Sequence, residues 1–272
     1  MTLKKKAFDK GIFAIPYAVI CVIFVVFPLV LLLFYAFRGS DGSFTFSNFG
    51  YVLGTGTYWL VLLETIGTAA LTTAICLVLA YPVAYVLAQS PFNKHAVLSL
   101  LFIVPMWMNF LLRIFALNSL LDMIGIGRGY LSALIGLVYD FFPFMLLPIY
   151  TVLANMDKSY KEASRDLGAG EVKTFLRVTL PLSLSGISSG VMMVFMPAFS
   201  AYAITNAMGD STTSLIGNTI NIFISNRQVG YGSALSFVLL ALVIIVMVVG
   251  SFLQNRKSKA ESNTLTRGGG II

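Results

Sequence analysis

A carboxylate inside an otherwise uncharged apolar run is the residue in this sequence whose type most directly suggests chemistry. Asp140 is the only charge between Tyr130 and Met156. An ionisable group within a membrane-spanning segment is costly to place and marks a functional site by default, usually with a partner of opposite sign. Gly136, Pro143 and Phe144 share its face by the three-and-four spacing of a helix. Glu64 stands at the start of another charge-free run, and Trp107, Phe110, Tyr139 and Tyr202 offer aromatic faces. A carboxylate beside aromatic rings suits a cation, through charge and cation–π attraction. The same residues have a second reading, in which Asp140 pairs with Arg113, Arg128 or a partner chain while the aromatics pack helices together.

Other chemistry finds no residues to carry it. The lone His95 cannot build a metal site, and Cys21 and Cys76 lack a spacing partner for zinc or a disulfide. The run Gly168-Ala-Gly-Glu-Val-Lys-Thr174 has a Lys-Thr pair but no glycine directly before the lysine, so it is not a phosphate loop. No nucleophile, base and oxyanion set can be assembled. The expectation is a chain with no catalytic residues, no metal and no cofactor of its own, which borrows whatever energy it uses.

The elements that position these residues follow from composition. Of 272 residues, 58% are hydrophobic and 11% charged, against about 25% charged in a soluble domain. A soluble enzyme is excluded. At roughly 20 residues per span, the charge-free runs predict an all-α polytopic membrane protein with six spans. They fall at about 12–37, 62–88, 96–116, 131–154, 182–206 and 233–254, in a single transmembrane domain over 1–272. The first run follows Lys4, Lys5 and Lys6 but is too long for a signal peptide and lacks a cleavage site, so it is read as a retained span.

With six spans, Lys4, Lys5, Lys6, Lys10, Lys94, Lys158, Lys161, Arg165, Lys173, Arg177, Arg256, Lys257, Lys259 and Arg267 share one side. Arg38, Arg113, Arg128 and Arg227 are left for the other. The positive-inside rule then places both termini and residues 157–180 in the cytoplasm. The net charge of +7 reports topology, and the partner it implies is membrane lipid, not nucleic acid. Gly186 and Gly190 form a GxxxG pair where helix backbones can approach closely. Phe195, Phe199, Tyr202 and Asn206 fall at helical spacing and are expected on one face, as a gate or as core.

The loop at 157–180 carries capping signals. Ser159 with Glu162 has the spacing of a capping box, and Gly168 can end the helix in the left-handed conformation. A second short helix is expected from about Glu171 to Leu180, with Pro181 starting the next segment.

The combination Glu162-Ala163-Ser164, three residues, Gly168, nine residues, Val178, one residue, Leu180-Pro181 resembles the signature of binding-protein-dependent ABC importer permeases. Ser164 and Val178 are small departures from its Ala and Ile, and every spacing is kept. Phe102 to Phe115, Gly136 to Met145 and Leu215-Ile-Gly-Asn218 are similar to segments of the spermidine/putrescine permease subfamily. The resemblance implies a type I ABC importer permease-like fold in the bacterial cytoplasmic membrane. It also implies an ATPase-coupling set of Glu162, Ala163, Ser164, Asp166, Gly168, Leu180 and Pro181. The implied partners are a second homologous permease, two ATP-binding subunits holding ATP and Mg, and an extracytoplasmic polyamine-binding protein. For a polyamine substrate, Asp140, Trp107, Phe110, Tyr139, Tyr202 and Glu64 are the candidate pathway residues. A permease for another small solute, or an ion-coupled carrier using Asp140 and Glu64, are the alternative functions.

Overall fold

A computed structural model of the chain describes residues 14–39, 41–89, 102, 104–210 and 212–268. Apolar segments without water to satisfy backbone N–H and C=O groups can satisfy them internally as helices. Among the described residues the only β feature is an isolated bridge between Arg38 and Phe44. Helix α1 covers residues 14–36 with a π turn at Val22–Val26, α2 is Ser47–Gly54, α3 is Gly56–Gln89, α4 is Phe110–Met123 and α5 is Tyr130–Ala154. Then come α6 (Ser159–Asp166), α7 (Glu171–Leu182, with a π turn at Phe175–Thr179), α8 (Leu184–Phe199), α9 (Tyr202–Met208), α10 (Ile216–Ser225) and α11 (Val229–Gly268).

Four segments are long and apolar enough to cross a bilayer: Val19–Ala36, Gly56–Gln89, Tyr130–Ala154 and Val229–Val248. A fifth is added if α7 and α8, bent by 59° at their junction, count as one broken span. The described residues therefore hold four or five of the six expected spans. Of the expected span at 96–116, residues 96–101 and 103 lie outside them, as do Lys94 and His95, while Val104–Trp107 forms a 3-10 turn and α4 starts after Met108 and Asn109.

The chain forms two compact units, one from Met1–Gly56 with Ile220–Leu242, the other from Thr57–Thr219 with Val243–Ile272. In the first, the buried Asn48 amide donates to the carbonyls of Ala36 and Arg38, each at 3.0 Å, closing the end of α1. A Cβ at Gly230 would come within 2.7 Å of that amide, so glycine is what lets α11 approach.

In the second unit α8 lies against α5 through the GxxxG pair. A Cβ at Gly186 would sit 2.8 Å from the Pro148 carbonyl oxygen, and one at Gly190 would sit 2.7 Å from Met145 Sδ. The expected close approach is present, and it is this pair that allows it. A buried polar line on α3 adds directional contacts: Thr65 Oγ1 accepts from the Ile216 amide at 2.9 Å, and Thr68 shares a hydrogen bond with Tyr130 at 3.2 Å. Cys76, buried, has its thiol 3.6 Å from the Val138 carbonyl, in keeping with a packing role.

The expected stripe of Phe195, Phe199, Tyr202 and Asn206 is not a single face. Helix α8 ends at Phe199 and α9 begins at Tyr202, with Phe199 buried and Tyr202 and Asn206 exposed. Pro197 cannot donate to the turn before it, and the break at Ser200 and Ala201 resets the helical phase.

Candidate functional site

The loop between α5 and α8 is built from two short helices locked by their own turn. Helix α6 ends with Leu167 as cap and Gly168 at φ +78°, a left-handed conformation that glycine adopts without a Cβ penalty. The Gly168 amide donates to the Arg165 carbonyl at 2.8 Å and the Ala169 amide to the Ser164 carbonyl at 3.1 Å. These two bonds make a complete Schellman motif, as the glycine predicts.

The start of α6 differs from the expected capping box. Ser159 is the first helical residue, and its amide donates to Asp157 Oδ1 at 2.9 Å, so Asp157 supplies the cap. The carboxylate two residues upstream reaches the open amide first and stabilises its own charge there. Hydrogen bonds from Ser159 hold the Asp157 carboxyl below the usual carboxylate range.

Across the turn, Ser164 and Thr174 share a hydrogen bond at 3.0 Å, and Arg165 pairs with Glu171 at 2.7 Å on an exposed face. Glu162, Ala163, Asp166 and Gly168 are all exposed on this loop and Ser164 is half-buried, while Leu180 and Pro181 sit at the far end of α7. Leu167 is 89% exposed, and Val172 and Leu176 are exposed beside it. These are exposed apolar side chains on an otherwise polar loop.

Residues that sequence reasoning missed connect this loop to α3. Tyr81 and Tyr85, one turn apart, meet the Phe175 ring edge-on at 5.8 and 5.4 Å between centroids. Tyr81 shares a hydrogen bond of 2.9 Å with Ser183, and Lys161 Nζ lies 5.2 Å from the Tyr85 ring centre. Burial pushes the Lys161 ammonium below its ordinary pKa, with Arg165 adding to the shift. The signal in the sequence was the i, i+4 pair of tyrosines flanking Pro82.

The pathway candidates divide. Asp140 is buried and pairs with Arg113, whose guanidinium also lies 5.8 Å from the Tyr139 ring centre. Of the pairings considered for Asp140 from the sequence, the one with Arg113 is present. Arg128 instead donates to the Ala207 carbonyl, its Nε at 3.1 Å. A Cβ at Gly136, one turn before Asp140, would run into Met208, so that face of α5 is packed against α9. Trp107, Phe110, Glu64 and Tyr202 are exposed. Tyr202 contacts Gly217, where an added Cβ would lie 2.8 Å from its own Cβ. The next residue, Asn218, accepts from Thr205 Oγ1 at 2.6 Å. The structure thus ties Asp140 and Tyr139 together through Arg113 and leaves Trp107, Phe110, Glu64 and Tyr202 exposed.

Comparison with known proteins fits this geometry. Residues 3–259 match the family described as binding-protein-dependent transport system inner membrane component. The chain is 34% identical over 267 residues to the spermidine/putrescine transport system permease protein PotB of Escherichia coli K12, covering 88% of this chain and 97% of that protein. It is 33% identical over 267 residues to PotB of Haemophilus influenzae, covering 88% and 93%. Its fold resembles a chain of a bacterial alginate ABC transporter solved with an alginate pentasaccharide-bound periplasmic protein. There the TM-score is 0.74 at 13% identity, over 92% of this chain and 94% of that one. The chain belongs to the inner-membrane component family of binding-protein-dependent transport systems, and is a multi-pass membrane permease subunit.

Proposed function

We propose that the chain is one of two homologous permeases of an ATP-driven importer that carries polyamines, spermidine or putrescine, across the cytoplasmic membrane. One observation carries the substrate: the 34% identity to PotB runs through 97% of that protein rather than through a shared fragment. The partners are a second permease, two ATP-binding subunits that hold ATP and Mg, and a polyamine-binding protein outside. The fold neighbour solved with its periplasmic protein supports that arrangement. Six spans with both termini and the α6–α7 loop in the cytoplasm accord with the basic residues on that side.

The mechanism follows from the two regions described. Exposed Glu162, Ala163, Asp166 and Gly168 present α6 to the ATP-binding subunits, with Leu167 as the apolar contact. ATP-driven closure of those subunits moves the loop. Through the 59° junction of α7 and α8, that motion reaches the span whose glycines lie on α5. On α5, Asp140 and Tyr139 form a cation-attracting point in the route. Arg113 neutralises the carboxylate in the absence of substrate, because an unpaired charge there would be costly, and an ammonium group takes its place during passage. Trp107, Phe110, Tyr202 and Glu64 extend the route with exposed faces that suit an alkyl-ammonium chain.

The test is uptake of radiolabelled spermidine and putrescine in a strain lacking its own polyamine importers, with this chain and its partners expressed and then with this chain omitted. Uptake that requires both the chain and ATP is the expected result. An assembled complex whose ATP hydrolysis responds only to a different solute would reject the polyamine and leave the permease. Uptake that survives ATP depletion under an ion gradient would reject the ATP-driven reading.

A further inference from the structure

Resting on that reading, we propose that Phe175 is a positioning residue. Set edge-on between Tyr81 and Tyr85, it joins the loop to α3 so that the two move as one body when the loop is driven. The ring planes stand at 83° to Tyr81 and 88° to Tyr85, the edge-to-face arrangement in which aromatic attraction is directional. Sliding or tilting the Phe175 ring weakens both contacts at once.

Two further contacts fix the same turn of α3 from different segments. Ser183 Oγ lies 2.9 Å from the Leu180 carbonyl and shares a hydrogen bond of 2.9 Å with the Tyr81 hydroxyl, so one side chain links the end of α7 to α3. Ser183 is fully buried at the 59° bend between α7 and α8. From α6, Lys161 reaches over the Tyr85 ring. The start of α6, the π turn of α7 and the bend into α8 are therefore all gripped by two tyrosines one turn apart.

The sequence between those tyrosines explains why a grip is needed there. Pro82 has no N–H and removes one backbone hydrogen bond from α3 at this turn, which weakens the helix there. The π turn opens at Phe175 itself, and such turns re-aim the side chains they carry. A pliable turn clamped by rings from the driven loop transmits displacement into α3, whereas a pliable turn left free would absorb it.

The experiment compares variants of the full complex in proteoliposomes, reading co-purification of the ATP-binding subunits, ATP hydrolysis stimulated by the binding protein, and spermidine moved per ATP. Phe175→Leu keeps the apolar bulk. It should assemble and hydrolyse ATP yet move at least about tenfold less spermidine per ATP, while Phe175→Tyr, which restores the ring, should stay within about twofold of the parent. Phe175→Leu with parental transport per ATP overturns the proposal, because apolar volume alone would then suffice. So does an assembly defect in Phe175→Leu with transport per ATP unchanged in the complexes that form, since that is a purely structural role. A parent complex stimulated by its binding protein that moves no spermidine rejects the substrate instead. The joint is then judged with the solute that stimulates hydrolysis in that parent complex: at least about tenfold less of it moved per ATP by Phe175→Leu supports the joint, and parental transport per ATP overturns it.

Discussion

Two ion pairs set two regions of the molecule against each other. Arg165 and Glu171 bridge the α6–α7 turn with side chains 53% and 71% exposed, whereas Arg113 and Asp140 meet with 8% and 12% exposed. The first pair sits in water and competes with solvent and salt, so it contributes little. The second is largely shut off from solvent, so loss of the Arg113 guanidinium would leave the Asp140 carboxylate buried without it. The loop consequently takes its shape from backbone hydrogen bonds and aromatic contacts rather than from its exposed ion pair. In the α4–α5 region the ion pair is part of the buried packing.

The largest test of that contrast is Arg113→Gln, which strands a buried carboxylate and should destabilise the chain by about 3–5 kcal/mol. The yield of assembled complex and the thermal unfolding of the purified complex would show it, and parental stability would remove the distinction between the pairs. Reversing the pair, Arg113→Asp with Asp140→Arg, should restore assembly but not polyamine uptake. Restored uptake would make the pair a structural fastening only. Asp140→Asn should likewise reduce polyamine uptake more than assembly.

Smaller effects belong to the loop. Gly168→Val forces a β-branched residue into the left-handed region at about 1–2 kcal/mol. Insertion should proceed normally while coupled uptake is lost, and normal uptake would remove the Schellman turn from the coupling account. Arg165→Gln should cost at most about 1 kcal/mol and lose even that at high salt, read from uptake at two ionic strengths. A large, salt-independent loss would erase the comparison.

The smallest effect is acid sensitivity in another loop, at Asp210. Hydrogen bonds from Thr212 and Thr213 bring its carboxyl from 3.8 to about 2. A depressed carboxylate stabilises fully above its ordinary value and loses that contribution as pH falls through its folded value. The change therefore lies between about pH 4 and pH 2, with none expected from pH 5 to 8, as hydrogen exchange at Thr212 and Thr213 would report.

Much of this contrast was legible in the sequence. The glycine at 168, the GxxxG pair and the charge-free runs each express a backbone constraint that one residue type satisfies, so spacing alone exposes them. Pairings across the fold are different in kind. Arg113 and Asp140 are 27 positions apart and Tyr81 and Ser183 102, and no local pattern selects one partner among several. Asp157 rather than Ser159 caps α6 because a carboxylate and a hydroxyl compete for nearby amides, a contest decided by geometry. The stripe from Phe195 to Asn206 misled because helical spacing carries no information about a break at Ser200.

The exposure of Leu167 bears on how the chain fares before it is assembled. On the proposed topology, a copy made without its ATP-binding partners holds Leu167, Val172 and Leu176 out in the cytosol with nothing over them. Such a patch is what chaperones and membrane proteases capture. The amount of this subunit that persists in a cell is then expected to follow the supply of its partners, which its level with and without co-expressed ATP-binding subunits would check.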